Sequence, residues 1–431
     1  MKYAVETTFD WDSFVERHWD AHPVLYKGGC ARPFDVSTAF EAAANAGRSL
    51  RDVRHSLDEV PTVNVSADGL VSVKSRRWIP RRSDGSFSGY HARVAGHRVS
   101  AHYALIVNSL HSYSFPLWSH ARAFFSDLWL RVGLPLTGAI TTLFHGNYEH
   151  TPVGVHKDRF STFLFALSGK KRMRFWRQKP WSEPVSTILD YQAHLDTSFV
   201  VEVEPGDALY WPWTYFHVGE SAGGGVATSV NVGIPKDEHS ARYDIDEFFI
   251  DGDGVTSFAD TDRAIAHAFD DIGVPALAKD IFDSAATLST DLPPCLRQVV
   301  SAFRESGQHT EARLRATSAR RRSAAGFYPV PKAATCRTGL APADRIRGDL
   351  AHPILLSDAP GGGCFCAANG HSVRTALSTA MLSRRIDALN AGRIVRMRAL
   401  LDGCTQDEAA EMRRLLEALR RARAVKRLVR N

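Results

Sequence analysis

The chain has 431 residues, 44% of them hydrophobic and 23% charged, the balance of a globular protein of two or three domains and not of a disordered or fibrous one. No apolar run reaches the roughly 18 residues of a bilayer span, and the opening MKYAVETTFDWDSF lacks the basic start and apolar core of a secretory leader. The net charge of +6 is uneven: residues 374–431 hold 14 Lys/Arg against six Asp/Glu, so the rest of the chain is slightly acidic. Six scattered cysteines exclude a dense disulfide framework and predict a reducing, cytoplasmic location.

Residues 11–25 (WDSFVERHWDAHPVL) place charged and aromatic positions at helical spacing and stop at His22-Pro23, predicting a short helix that feeds an extended segment. Residues 34–54 read as a second helix, and 63–75 as two strands about an Asp-Gly turn. From Ala101 to Pro235 strand-like runs recur at 102–108, 138–146, 160–169, 170–176, 198–212 and 226–235. Gly, Pro and Asp punctuate them, as in a compact antiparallel barrel or sandwich. Helical segments follow over 241–306, then a basic, small-residue stretch at 312–334 suited to a linker or an exposed helix end. The remainder reads as a strand at 352–357, a hairpin at 364–375 with an Asn-Gly turn, and helices at 377–390, 393–402 and 406–427, together a winged-helix-like module.

The chemistry concentrates in V-H-K-D and Y-F-H-V-G-E. On a strand, positions i and i+2 share a face, so His156 and Asp158 converge on one metal ion. His217, 61 residues later, closes a two-His, one-carboxylate set. Such a set leaves three metal positions open, the arrangement of non-haem Fe(II) oxygenases. His145, Glu149 and His150 read as loop residues sharing no face with the ligand strand, and Trp211, Trp213, Tyr215 and Phe216 as barrel wall. Cys364 and Cys366, with His371 and Cys404 nearby, read as small buried thiols rather than a zinc site, since no second Cys-x-x-Cys exists.

H-K-D at 156–158, the S-G-K-K-R step at 168–172, E-P-G-D-x-L-Y-W-P at 204–212 and S-V-N-V-G at 229–233 resemble the JmjC branch of the cupin superfamily, Fe(II)- and 2-oxoglutarate-dependent oxygenases. The opening F-V-E-R-H-W-D-A-H-P-V-L is similar to the ribosomal-oxygenase and asparaginyl-hydroxylase subgroup. The resemblance implies an α+β chain with a double-stranded β-helix (jelly-roll) core. Its expected domains are an oxygenase domain over 1–240, a helical, dimerisation-type region over 241–325, a linker over 326–345 and a winged-helix-like module over 346–431.

The same resemblance places the iron ligands on His156, Asp158 and His217 and the anchor of the 2-oxoglutarate carboxylate on Lys171, with Arg172 and Arg174 as competitors. The polar residue of the last strand falls on Asn231, with Ser229 on the same face. Two departures, Met173 where an aromatic is expected and T-P-V-G-V before His156, bear on the substrate more than on the cofactors. The implied activity is hydroxylation of a protein or peptide side chain, with Fe(II), 2-oxoglutarate and O2. Alternatives are a small molecule or natural-product precursor as substrate, or a non-catalytic interaction protein. A homodimer built on an apolar face around Phe248, Phe249, Ile265, Phe269 and Phe282, and RNA contact by the basic end, complete the expectations.

Overall fold

The computed structural model describes residues 2–28, 32–52, 63–67, 70–71, 78–96, 102–223, 225–236, 277–278, 300, 310–359 and 362–428. The chain divides into two units, residues 1–131 with 139–237, and residues 132–138 with 238–431. In chain order the strands up to residue 146 are β1 (Ala4–Glu6), β2 (Val24–Tyr26), β3 (Val63–Ala67), β4 (Leu70–Val71), β5 (Tyr103–Asn108), β6 (Leu134–Pro135) and β7 (Ile140–Gly146). They are followed by β8 (Phe160–Ser168), β9 (Lys171–Trp176), β10 (Phe199–Val203), β11 (Ala208–Trp211), β12 (Phe216–Ser221) and β13 (Ala227–Pro235). The helices of this part are α1 (Trp11–Arg17), α2 (Val36–Asp52), α3 (Phe87–Ala95) and α4 (Phe115–Val132).

The first unit is built on two facing sheets of a jelly roll. The larger runs β1-β2-β11-β8-β13-β7-β5-β3-β4 and the smaller β10-β9-β12. The smaller sheet gains an irregular fourth member from residues 150–156, which pair with β12 through His150–Glu220 and His156–His217 bridges. Four strands of the larger sheet, β11-β8-β13-β7, therefore oppose four of the smaller. Because pleated residues alternate faces, Leu164, Ala166, Leu209 and Trp211 of one sheet meet Met173, Phe175, Val201 and Val203 of the other in a single apolar core.

The expected strands between 101 and 235 are present, with three differences. The run 198–212 is two strands, because Gly206 turns the chain at φ +99° and the Asp207 carboxylate accepts from the Glu204 and Gly28 amides, each at 3.0 Å. A helix of 18 residues, α4, sits where only strands were expected. Its exposed stripe, Pro116, His120, Ala123, Asp127 and Leu130, includes apolar residues, which blurs the helical period in the sequence. His145 lies on β7 rather than in a loop, on the face away from the barrel interior, between Tyr103 Oη (3.0 Å) and Thr228 Oγ1 (2.8 Å). Burial, reinforced by His91, lowers its pKa to about 3, so it is a neutral core histidine. Helix α1 also ends earlier than expected, at Arg17, and the Asp-Gly turn between β3 and β4 lies outside the described residues.

In the second unit β6 pairs with β14 (Leu277–Ala278), and α5 (Thr310–Ser323) precedes β15 (Arg345–Gly348), β16 (Leu355–Asp358), β17 (Cys364–Ala368) and β18 (His371–Thr375). Then come α6 (Thr379–Asn390), β19 (Val395–Arg396), α7 (Gln406–Arg421) and β20 (Val425–Leu428). The strands form two small sheets, β19-β15-β20 and β16-β17-β18. The stretch read as a linker or an exposed helix end begins as the helix α5, but a packed one: its Ala319 lies against Leu355 and Ala367. The helix expected over 393–402 is β19 and a single 3-10 turn, and the one over 406–427 stops at Arg421, after which Arg423 takes φ +60° and β20 begins. Both errors share a cause: short edge strands rich in Arg lack the apolar alternation that marks a strand. Apart from residues 277–278 and 300, the stretch 241–306 expected to carry helical segments, and with it the apolar set from Phe248 to Phe282, lies outside the described residues.

Candidate metal centre and its pocket

The segment 150–156 and β12 bring the two histidines together. His156 and His217 exchange both backbone hydrogen bonds (3.1 and 2.8 Å), so residues 61 apart in sequence become cross-strand neighbours with ring centroids 4.6 Å apart. Asp158, two residues after His156, lies outside any strand rather than on the strand expected for it. Its carboxylate oxygens sit 3.4 Å from His156 Nε2 and 3.5 Å from His217 Nε2. Among the described residues, these three are the one group whose ligand atoms converge, all within 4.8 Å of one another.

The outer ring nitrogens are occupied by backbone. His156 Nδ1–H donates to Gly154 O at 3.0 Å and His217 Nδ1–H to Tyr215 O at 3.4 Å, which leaves each Nε2 lone pair aimed at the third ligand atom. That second contact is what fixes tautomer and ring orientation in metal sites. Burial works against a charged His156, but the Asp158 carboxylate overrides it and its pKa is raised; His217, buried and beside His156, is lowered. Asp158 is held well below the usual carboxylate range by the two imidazoles, against the cost of its burial.

Two glycines shape this site. Gly154 ends a tight turn (its amide donates to Thr151 O at 2.9 Å) at φ +74°, and a Cβ there would sit 2.3 Å from Ile188 O. Ile188 and Val155 exchange backbone hydrogen bonds of 2.8 and 3.2 Å, so the ligand segment is held between β12 and the stretch around Ile188. Gly154→Ala is expected to cost about 1–3 kcal/mol of stability from the left-handed conformation alone. By displacing the carbonyl that orients His156 it is also expected to weaken divalent-metal binding about 10–100-fold. Denaturant titration and metal titration of the same variant check the two effects separately.

Lys171 is on β9, whose inward positions are Lys171, Met173 and Phe175, the last two lying opposite Gly219 and His217 of β12. Its side chain is 4% exposed, donates to Tyr148 Oη and lies 4.3 Å over that ring. No carboxylate pairs with it among the described residues. Burial pushes the ammonium down to about 7. Arg172 and Arg174 alternate to the outside, where they pair with Glu202 at 2.9 Å and Glu220 at 2.7 Å. The same alternation points Ser229 and Asn231 inward, opposite Ala166 and Leu164. Ser229 Oγ, Asn231 Oδ1, Thr151 Oγ1 and Trp211 Nε1 are all buried without a hydrogen-bond partner.

A Cβ on Gly219 would come within 3.2 Å of Lys171 Cε and 3.3 Å of its Nζ. The ammonium thus reaches back to the level of Gly219, two residues from His217, or about 7 Å of strand. Tyr148, Thr151, Gly154 and Gly219 were not singled out in the sequence. Only Gly154, in T-P-V-G-V two residues before the first histidine, offered a local signal. Trp211 and Tyr215 line the interior, whereas Phe216 packs on the outer face with Trp181. Cys364 and Cys366 are buried, and His371 Nε2 is engaged by Pro331 O at 3.0 Å.

A jelly roll with two histidines and a carboxylate at its mouth defines the class. Residues 132–239 match the family described as the JmjC domain. Among curated proteins, the ribosomal protein uL16 3-hydroxylase of Escherichia coli (strain K12) is 26% identical over 247 residues, 54% of this chain and 55% of that protein. The chain thus spans about half the length of the curated relative it matches. Two solved structures are also similar: E. coli ycfD, and YcfD, a ribosomal oxygenase from Escherichia coli, in complex with cobalt and 2-oxoglutarate. They share 15% and 16% identity, cover 99% and 98% of this chain and 100% and 99% of theirs, and each has a TM-score of 0.46.

Proposed function

We propose that the protein is an Fe(II)- and 2-oxoglutarate-dependent oxygenase that hydroxylates a side chain of a ribosomal protein. The observation that carries this reading is the pairing of two sites in one barrel. A two-His, one-carboxylate cluster with both Nε2 atoms turned toward Asp158 lies one strand step from a buried ammonium that, among the described residues, no carboxylate neutralises. The donor set suits Fe(II) and leaves half of its coordination positions open. The orphaned Ser229 and Thr151 hydroxyls can donate to a dicarboxylate, and Gly219, where a Cβ would crowd Lys171 and Thr151, leaves the ammonium its place.

His156, Asp158 and His217 would hold the metal. Lys171, with Tyr148, would bind the far carboxylate, and Asn231 or Ser229 would donate to its other polar atoms. When bound, iron and 2-oxoglutarate together let dioxygen convert a C–H bond to C–OH, with succinate and CO2 released. The protein's own contribution is positional. The backbone-locked imidazoles fix the metal, and the apolar wall of Trp211, Phe175 and Met173 excludes water from the cosubstrate end. A ribosomal protein as substrate is supported by the curated relative, and a cytoplasmic location, a two-fold dimer through residues 241–325 and a winged-helix-like C-terminal module go with that reading. Among the described residues no helix is long and apolar enough to cross a membrane.

Purified protein supplied with Fe(II), 2-oxoglutarate and O2 is expected to form succinate. Ribosomal proteins from cells lacking the enzyme, incubated with it, should show one 16 Da gain by mass spectrometry. Succinate formation without any modified ribosomal protein would move the substrate to another class; no succinate at all would overturn the oxygenase reading.

A further inference from the structure

The sheet β19-β15-β20 has one buried and one exposed face. Ile346 of β15 and Val425 of β20 point into the apolar core of the C-terminal part, with Val395 of β19 packed against it. Antiparallel register puts the alternate residues on the other side: Arg345 directly opposite Arg396, and Arg347 directly opposite Lys426. All four are exposed, and among the described residues no carboxylate pairs with any of them. Asp344, the nearest acid in sequence, is taken by Arg427 at 2.9 Å and by the Ala341 amide at 2.8 Å.

Like charges directly across a strand pair destabilise a sheet, and here two such pairs stand side by side on three short strands. Nothing within the described fold compensates them, so the face is arranged for an anion from outside. Strands about 4.8 Å apart and i, i+2 spacing of about 7 Å set the four cations in a regular grid. A repeating array of single charges matches that grid better than an isolated phosphate or carboxylate does. No aromatic residue shares the face, so base stacking contributes nothing and contact is confined to the backbone. The four cations sit on strands and not on a helix that could enter a deep groove, which favours the wide, shallow minor groove of an A-form duplex.

We propose that the exposed face of this sheet, carrying Arg345, Arg347, Arg396 and Lys426, binds the phosphate backbone of structured RNA without sequence preference. Arg396 and Lys426 belong to the basic stretch 374–431, whose +8 balance the metal centre does not use. The proposal does not depend on the oxygenase activity, because its readout is binding alone.

The test uses the full chain and a fluorescein-labelled RNA hairpin of mixed sequence, read by anisotropy. With four phosphates neutralised, log K should fall with log salt at a slope of about −2.8 to −3.6, a loss of about 50–150-fold between 50 and 200 mM. Replacing all four residues by Gln should weaken binding at least tenfold and flatten that slope. The thermal midpoint should stay equal or rise, since the variant removes repulsion and touches no core atom. A control replacing four exposed cations elsewhere, Lys332, Arg384, Arg413 and Arg421, by Gln should leave RNA affinity unchanged at equal net charge. Equal affinity of the Arg345/Arg347/Arg396/Lys426 variant and parent would overturn the proposal. So would tighter binding of polyglutamate, of DNA duplex of the same sequence or of anionic vesicles than of RNA.

Discussion

Replacing His156 or His217 with alanine is expected to leave a folded protein that neither retains iron nor forms succinate above background. Three ligand atoms converge within 4.8 Å, and removing one leaves a two-point chelate open to water. Loss of a mere supporting hydrogen bond around a metal ligand typically costs 10–100-fold in affinity, so loss of a ligand itself should exceed about 100-fold. His156→Ala is the cleaner variant, because its ring is partly exposed, whereas His217 packs against Trp211 with centroids 5.1 Å apart. Truncating His217 therefore also opens a void and lowers the unfolding midpoint. Asp158→Ala should lose iron just as completely. Iron content by elemental analysis, with unfolding curves alongside, separates the two effects. Full iron retention in His156→Ala would remove the cluster as the metal centre.

Lys171→Ala should raise the apparent 2-oxoglutarate constant about 30-fold or more with iron content unchanged. An unpaired carboxylate left in a dry site costs about 2–5 kcal/mol, and each 1.4 kcal/mol is tenfold. Gly219→Val, whose side chain would press on Lys171 Cε and Nζ and on Thr151 Cγ2, should reproduce that loss with Lys171 still in place. An unchanged constant in Lys171→Ala would mean that the anchor lies elsewhere.

The same lysine predicts a pH dependence. Its ordinary pKa of 10.5 is lowered to about 7 by burial. Between those values the unfolded chain holds more protons than the folded one, so stability of the metal-free protein rises with pH there. The rise is up to about 1.4 kcal/mol per unit, and the penalty is present in full below pH 7. Dicarboxylate binding, which favours the ammonium, takes up a proton above pH 7 and should weaken by up to tenfold per unit. Lys171→Met should abolish both dependences, in denaturant titrations and in cosubstrate titrations followed against pH.

By itself the sequence determined the residue types of the metal centre and the strands that carry most of the barrel. His156, Asp158 and His217 stand out because few residue types ligate iron, β9 and β13 because polar and apolar residues alternate along them, and β8 because it is a short apolar run bounded by turn residues. The inward direction of Lys171 also follows from period-two alternation along β9, which sends Arg172 and Arg174 outside. Only the tertiary structure decided the rest. That His156 meets His217 across a strand pair depends on a pairing 61 residues apart, and Asp158 reaches them from outside a strand by the path of the chain after residue 156. The roles of Gly154 and Gly219 depend on what a Cβ there would strike, Ile188 O in one case and Lys171 in the other, neither of them a neighbour in sequence. Helix α4 was hidden because its exposed stripe carries Ala123 and Leu130 among its polar residues, which blurs the polar face that periodicity needs. In the C-terminal part, β15, β19 and β20 were hidden by their arginines. Those strands are held by one buried face and by pairing with one another, a contribution that local propensity does not carry.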